Sequence, residues 1–559
     1  MRLHFCFAYG LILGPLLAGP ALAVEPDAPE RLIARADAVR IIVQEELAKP
    51  FRNETDYKKA EHGALVEYYD DTDRAPVWVD ENGLTAKARA VIKELRNAAN
   101  YGLNPADYDL PEEIILSSTE GTSTPRLAEF EFKMSHATLA YARHARGGRK
   151  APGTISRNLD PTLDLPDPLE LMKQLAAQDD PASFLRGFHP KHPQFEALHQ
   201  KLVAMRGGTG TTVKRIVIPA GPSLKPGAKH AHVALLRQRL DIPAQSISGK
   251  PAVTVKDYDP GLVKAVKAFQ KSHGLRPDGV VGPGTKRALN GRRVPKYRMK
   301  TILANMERWR WIPNTLGKMN IQVNIPEFRY RVFNGNNVIH SERVVVGKTK
   351  NQTPVFSDQM EYLVFHPYWN VPNSIKVKEI LPYLRRGGGG GGWFNSAASR
   401  PRILQAHNLY VQYRGRNVDA SSINWRTANV KNYRFYQPPG GKNVLGFVKF
   451  IFPNKHIVYM HDTSSKSLFN RTSRTFSHGC IRVRNPRKLA EIILGRDRGW
   501  SSGNIGSAIS SGRNQRVNLN TPIPVNITYF TARVEKNGKI TYFSDIYGHD
   551  ARMAKALKL

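Results

Sequence analysis

Near residue 315 the chain changes its period. "TILANMERWRW" spaces apolar residues as a helix does, whereas "MNIQVNIPEFRYRVF" alternates them: Ile321, Val323 and Ile325, then Phe328, Tyr330 and Val332. A helical repeat laid out as a strand would split its apolar face across both sides of a sheet, so the two stretches cannot share one kind of element. The chain must therefore build helices first and a sheet afterwards. At 559 residues it is also too long for a single core, and its 41% hydrophobic content suits globular folding rather than wholesale disorder.

The helical part reads as two units separated by linkers. Over 37–200, "LTAKARAVIKELRNAANYGLNP" offers Thr85 as an N-cap, Ala88, Val91, Ile92 and Leu95 as one face, and Gly102 as a stop. "KMSHATLAYARHARGG" is a second helix; its His136 and His144 read as ordinary helix residues, since no carboxylate or cysteine accompanies them at ligand spacing. The Gly-, Thr- and Pro-rich segments "MRGGTGTTVKR" and "PAGPSLKPGAK" then mark linkers. A small unit over 228–291 follows, with Val233, Leu236 and Leu240 on one helix, Leu262, Val266 and Phe269 on the next, and a Pro-Asp-Gly turn before a third.

In the sheet part, Asn334-Gly335 predicts a hairpin turn, "VIHSERVVVG" the returning strand, and "YLVFHPYW", "VKFIF" and "HIVYMH" further strands. Between them a mixed polar insert from Ile375 to Tyr436 holds six consecutive glycines, Gly387 to Gly392, and then Trp393. Such a run holds no single conformation, and a long insert in a sheet domain reads as a functional loop or lid, with an inert spacer as the competing reading. At the end, "PVNITYFTARV" and "ITYFSDIY" flank "EKNGK", which predicts a β-hairpin extension over 506–559 turning at Asn537-Gly538.

The N-terminus, "MRLHFCFAYGLILGPLLAGPALAVEP", has a positive Arg2, a short apolar stretch and the A-x-A signal Ala21-Leu22-Ala23. This predicts a secretory signal peptide over 1–23; a membrane anchor is the alternative, against which the stretch is short and broken by Gly and Pro. Of 2 cysteines, Cys6 lies within that signal, so the processed chain keeps Cys480 alone and forms no internal disulfide. A lone thiol in an oxidising compartment is a liability unless it is used, or buried and inert. The formal charge of +36 favours polyanions. Nucleic acid is not met by an exported chain, which leaves an anionic cell wall or outer-membrane surface, or else diffuse solubilising charge.

Cys480 sits in "RTFSHGCIRVRNP", which begins at Arg474. A thiol becomes a strong nucleophile when an imidazole takes its proton. Two are near in sequence: His478, which an extended segment would place on the same side as Cys480, and His461, which ends a strand able to neighbour the cysteine. A zinc site of His461, His478 and Cys480 is the alternative; its two nearest ligands would be a single residue apart, with no evident supporting acid.

"YMHDTSSKSLFNRTSRTFSHGCIRV" resembles the active-site block of the L,D-transpeptidase catalytic domain, with His461, Ser477-His478-Gly479-Cys480 and Arg482 in that family's pattern; "VGKTKNQTPVFS" and "GGKNVLGFVKF" resemble its flanking blocks. "FQKSHGLRPDGVVGPGTKRALN" is similar to the peptidoglycan-binding domain type 1, against the alternative of a generic three-helix bundle. The order of parts resembles the long Gram-negative members. The resemblance implies a multidomain chain: a helical scaffold domain (37–200), a small three-helix wall-binding domain (228–291), and a mainly-β catalytic domain (297–505) with a lid insert over about 375–436.

By the same resemblance Cys480 is the nucleophile and His461 the base, oriented by the backbone carbonyl of Asp462. Gly479 and Cys480 amides with the Tyr459 hydroxyl stabilise the oxyanion. Arg482, His478 and Ser477 serve the substrate or the loop. The implied reaction forms a cysteine acyl-enzyme from a peptidoglycan tetrapeptide stem, releases D-alanine and cross-links third-position diamino acids, with no cofactor or metal. Other acceptors remain open (water, a free D-amino acid, a lysine of an outer-membrane protein), as does a wall-binding scaffold without turnover. The implied setting is the periplasm, wall-associated, with peptidoglycan and other cell-wall synthases as partners, no nucleic acid, and no integral membrane part after signal cleavage.

Overall fold

The structure is a computed structural model, and it describes residues 35–50, 55–110, 123–206, 216–240, 242, 254–272, 275–290, 296–386 and 404–559. The expected signal peptide and the glycine run with Trp393 lie outside the described residues. No helix among the described residues is long and apolar enough to cross a membrane.

The N-terminal unit is helical: α1 (Arg35–Leu47), α2 (Asp56–Asp70), α3 (Ala86–Arg96), α4 (Thr124–Gly147), α5 (Pro168–Ala177) and α6 (Pro193–Arg206). Thr85 caps α3, its hydroxyl accepting the Ala88 N–H at 3.1 Å, and Ala88, Val91, Ile92 and Leu95 are buried as their spacing predicts. α4 is buried along most of its length, polar residues included. Its Glu131 carboxylate accepts the Val77, Trp78 and Val79 N–H groups at 2.7, 2.8 and 3.1 Å and the Tyr69 hydroxyl at 2.5 Å. One side chain thereby satisfies three consecutive backbone donors where the chain enters the short Val79–Asp80 strand. His144 shares a hydrogen bond with the Tyr108 hydroxyl at 3.3 Å, and burial holds it well below the usual imidazole range.

The second unit packs α7 (Ala231–Leu240), α8 (Pro260–Ser272) and α9 (Pro283–Leu289) around Val233, Leu236, Leu262, Val266 and Leu289. Buried Gln270 organises its turn: the amide accepts the Gly279 N–H at 2.8 Å and donates to Asp278, the Val280 carbonyl and Thr285. That gives a physical reason for the spacing of Gln, Asp-Gly and Thr in this stretch.

α10 (Lys296–Trp309) joins the helical unit to the sheet: Ile302, Met306 and Trp309 pack with Phe195, Leu198 and Leu202 of α6 and with Phe530. The sheet strands are β1 (Met319–Asn324), β2 (Arg329–Asn334), β3 (Asn337–Gly347) and β4 (Phe356–Phe365), then, beyond the insert, β9 (Val448–Ile451), β10 (Met460–His461), β11 (Thr475–Ser477), β12 (Ile481–Val483) and β13 (Gln515–Thr528). Their order is β11-β3-β12-β10-β9-β4-β13-β1-β2, and β2 also pairs β3, so the sheet closes on itself around one core. Asn334 pairs Asn337, which puts the first turn at Gly335 and Asn336, one position later than expected.

Two expectations need correction. The segment 506–559 is not a separate hairpin extension, and the sheet does not end at 505. β13 lies inside the sheet, antiparallel to β4 and parallel to β1, and buries Val517, Ile523, Val525 and Ile527 on alternate positions. The hairpin itself is shorter, β14 (Ala532–Val534) with β15 (Ile540–Tyr542), and α12 (His549–Ala556) follows it. The insert is also more than a loop. β5 (Trp369–Asn370), β6 (Tyr410–Tyr413), β7 (Arg416–Asn417) and β8 (Arg434–Gln437) form a sheet of order β5-β8-β6-β7. It covers its own core of Trp369, Ile380, Leu409, Val411, Trp425, Phe435 and Leu445, so the folded insert extends beyond 375–436 at both ends.

Candidate active site

β10 runs parallel to β12, pairing Met460 with Ile481 and His461 with Arg482, and the Ile481 N–H donates to the Tyr459 carbonyl at 3.0 Å. A parallel pair requires a long return connection, which the 462–480 segment supplies. This register sets Tyr459 beside Cys480, one residue ahead of β12, and His461 one strand away. The Cys480 sulfur lies 3.8 Å from the Ile457 carbonyl oxygen, to which the thiol can donate, and Tyr459 is close enough to perturb it electrostatically.

His461 is buried, and its Nδ1 lies 2.5 Å from the Asp462 carbonyl oxygen. A carbonyl only accepts, so Nδ1 carries the proton and Nε2 keeps its lone pair to act as a base. The Asp462 carboxylate faces elsewhere: it accepts the Phe447 N–H at 3.1 Å and pairs with Lys466. Gly446, at φ +61°, leaves the room that carboxylate occupies; a Cβ there would lie 2.1 Å from Asp462 Oδ2.

Burial pushes the Cys480 thiol up from its ordinary value, although nearby Tyr459, Arg482 and Lys449 oppose the shift. Burial, then the Arg482 charge, lowers His461 to about 3, with Lys449 and Lys466 adding to the effect. Both directions favour the thiol with a neutral imidazole over a charged pair.

His478 and Cys480 do not share one side of a strand. β11 ends at Ser477, and Gly479, at φ +125°, turns the chain between them. The His478 ring instead meets Glu379 of the insert, and that hydrogen bond is the main reason the Glu379 carboxyl lies below its usual range. Ser477 does not present a free hydroxyl to a substrate either. It donates to the Cys480 carbonyl at 2.6 Å and accepts the Gly479 N–H at 3.1 Å. The Gly479 amide is therefore engaged within the loop. Arg482 faces Cys480 electrostatically, and its buried Nε has no hydrogen-bond partner among the described residues. Asn485 precedes Pro486 at the start of α11 (Pro486–Arg498), but at φ +54° and without a side-chain cap bond.

Sequence reasoning gave no role to Thr353, Tyr547, Lys449 or Glu379. Buried Thr353 donates to the Gly479 carbonyl at 2.7 Å and accepts the Gly347 N–H at 2.9 Å, while the Tyr547 hydroxyl donates to the Gly347 carbonyl at 2.5 Å. They fix the cysteine loop to β3. Lys449 pairs across from His461 and lies 5.9 Å from the Tyr459 ring centroid. Thr353 was visible in "VGKTKNQTPVFS", but its reach is a tertiary contact. Among the described residues no group of three His, Cys, Asp or Glu is placed to hold a metal.

Comparison with known proteins gives the parts their names. Residues 318–525 match the family model described as "L,D-transpeptidase catalytic domain", residues 63–202 "Scaffold domain", and residues 229–289 "Putative peptidoglycan binding domain". A curated Haemophilus influenzae protein, "Putative L,D-transpeptidase", is 32% identical over 254 residues, which cover 45% of this chain and 48% of that one. The chain thus spans about half the length of the curated relative it matches. A crystal structure of an L,D-transpeptidase from Xylanimonas cellulosilytica aligns at 16% identity over 55% of this chain and 98% of that chain, with a TM-score of 0.14. One of a fused Zn-dependent amidase/peptidase/peptidoglycan-binding protein from Clostridium acetobutylicum aligns at 14% identity over 55% and 100%, with a TM-score of 0.15; scores this low carry no argument.

Proposed function

We propose that this chain, which carries an L,D-transpeptidase catalytic domain behind a scaffold domain and a peptidoglycan-binding module, cross-links cell-wall stem peptides through a Cys480 acyl-enzyme. The observation that carries the reading is the clustering of Tyr459, the Nδ1-anchored imidazole of His461 and the half-buried thiol of Cys480 on adjacent paired strands.

The neutral resting pair sets the order of events. His461 Nε2 takes the Cys480 proton as sulfur attacks the carbonyl that joins the third-position diamino acid to D-alanine. The Cys480 N–H and the Tyr459 hydroxyl receive the oxyanion, in a pocket where fixed donors count for more than in water. Collapse breaks the C–N bond, His461 returns the proton to the leaving amine, and D-alanine departs. The side-chain amine of a second stem then attacks the thioester and gives its proton to His461; sulfur leaves and is reprotonated. The Asp462 carbonyl holds the tautomer throughout, as an anchored acceptor does in other imidazole bases. Arg482 and Lys449 supply positive charge for substrate carboxylates.

The folded insert, tied to the cysteine loop through Glu379 and His478, acts as a lid that limits water and so favours the amine. Export to the periplasm and wall association through the 229–289 module complete the reading. The same acyl-enzyme with water, a D-amino acid or a protein lysine as acceptor is the second reading, favoured where hydrolysis outpaces cross-linking. Purified wall incubated with the full chain, digested and analysed by mass spectrometry, separates the two. Cross-links between third-position residues support the proposal, and tripeptide products alone contradict it.

A further inference from the structure

Beside the cysteine loop a cleft of about 520 Å³ opens between the helical unit and the catalytic sheet, and His478 forms part of its wall. The remaining walls come from residues 155–158, the β3–β4 turn at 349–352, and Arg552 of α12. Three of its residues are cationic, Arg157, Lys350 and Arg552, and none is acidic. Glu379 of the insert, which reaches the cleft wall at His478, is already paired with that ring.

The cleft is built rather than incidental. Val355 N donates to the Asn158 carbonyl at 2.8 Å, Asp160 N donates to the Val355 carbonyl at 2.9 Å, and Asn158 Nδ2 donates to Gln352 Oε1 at 2.9 Å. These bonds splice the helical unit onto the sheet beside the catalytic loop and fix the spacing of the cations. The turn is joined to that loop as well, since Lys348 N donates to the Ser477 carbonyl at 2.9 Å.

We infer that this cleft binds the free carboxylates of the second stem peptide, the acyl acceptor; the inference rests on the acyl-enzyme reading above. An acceptor must bring one amine to the thioester while its own carboxylates remain charged, so a cationic recess next to the nucleophile loop supplies what the acceptor lacks elsewhere. Arg482 and Lys449 act electrostatically on Cys480, whereas Arg157, Lys350 and Arg552 line the cleft with His478. The two cationic groups thus give each of the two stems its own counter-charges. The scaffold residue Arg157 makes the helical unit part of the acceptor site and not merely a support.

The test is direct binding to the full chain carrying Cys480→Ala, so that no turnover is needed. A tripeptide stem with free carboxylates and the same stem with its C-terminus amidated are titrated by calorimetry. Arg157→Gln with Lys350→Gln should weaken binding of the free acid about tenfold, a modest factor because both side chains are exposed. The amide should bind the parent as weakly as the free acid binds the double variant, and should not respond to the substitutions. Lys536→Gln, at the distant hairpin tip, controls for net charge. Unchanged binding in the double variant, or equal loss with Lys536→Gln, overturns the inference. Binding lost as expected, together with no acyl adduct on the parent chain (Cys480 intact) incubated with a tetrapeptide stem, would uphold the cleft as a carboxylate site and remove the transpeptidase reading.

Discussion

The scaffold and the catalytic sheet each bury a polar cluster, and the two are finished differently. Glu131 accepts three backbone N–H groups and a tyrosine hydroxyl, which uses its lone pairs, and burial pushes it up to about 7 against those bonds. Around Cys480 the bonding is left incomplete. His461 has one nitrogen anchored and one available, Arg482 Nε has no partner among the described residues, and the Cys480 sulfur makes only a long contact, 3.8 Å, with the Ile457 carbonyl. A saturated cluster holds a fold, whereas one with a spare lone pair and a spare donor can take part in a reaction.

The contrast can be broken at either end. Replacing Glu131 by Ala strands three buried N–H groups and should cost about 4 kcal/mol of stability. Chemical denaturation should show an early loss of helical signal, while activity per folded molecule stays near that of the parent. If stability were unchanged, Glu131 would not be the staple described.

Tyr459→Phe removes one oxyanion donor and should lower kcat about a hundredfold with little change in melting temperature. A loss of stability without a loss of kcat would place Tyr459 with Glu131 instead.

The protonation states offer a third route. With Cys480 raised and His461 lowered to about 3, alkylation of the free chain by a small neutral reagent should rise about tenfold per pH unit from about pH 6 to about pH 9. A plateau across that range would mean a standing ion pair. The same shift has a stability sign. A His461 held below its unfolded value binds its proton less well when folded, so stability falls as pH drops from about 6.5 toward about 3. The smallest effect is at the lid contact. Glu379→Gln should shift the ratio of cross-linking to hydrolysis about threefold toward hydrolysis, read from muropeptide products, because the pair is partly exposed.

How much of this was legible in the sequence follows from contact range. That His461 and Tyr459 would neighbour Cys480 was readable from the strand pattern beside the motif, and the amphipathic helices were readable from apolar spacing such as that of Val91 and Leu95. The role of β13 was not. Its alternation was visible, but nothing local says that Val525 pairs Ile321, about two hundred residues earlier. The insert looked polar because its core residues, from Trp369 to Leu445, are widely spaced and meet only when the small sheet forms. The same reason hid Glu379, which reaches His478 across the fold, and Thr353, whose hydroxyl ties Gly347 to Gly479. The directions in which burial moves Cys480 and His461 were also out of reach, since they depend on how far each is desolvated.

The most direct measurement is the intact mass of the full chain after brief incubation with a tetrapeptide stem. The account predicts an adduct equal to the stem less D-alanine, located at Cys480, with free D-alanine released, and no adduct in Cys480→Ala. Third-position cross-linking by Cys480→Ala, or D-alanine release with the label on another residue, would contradict it.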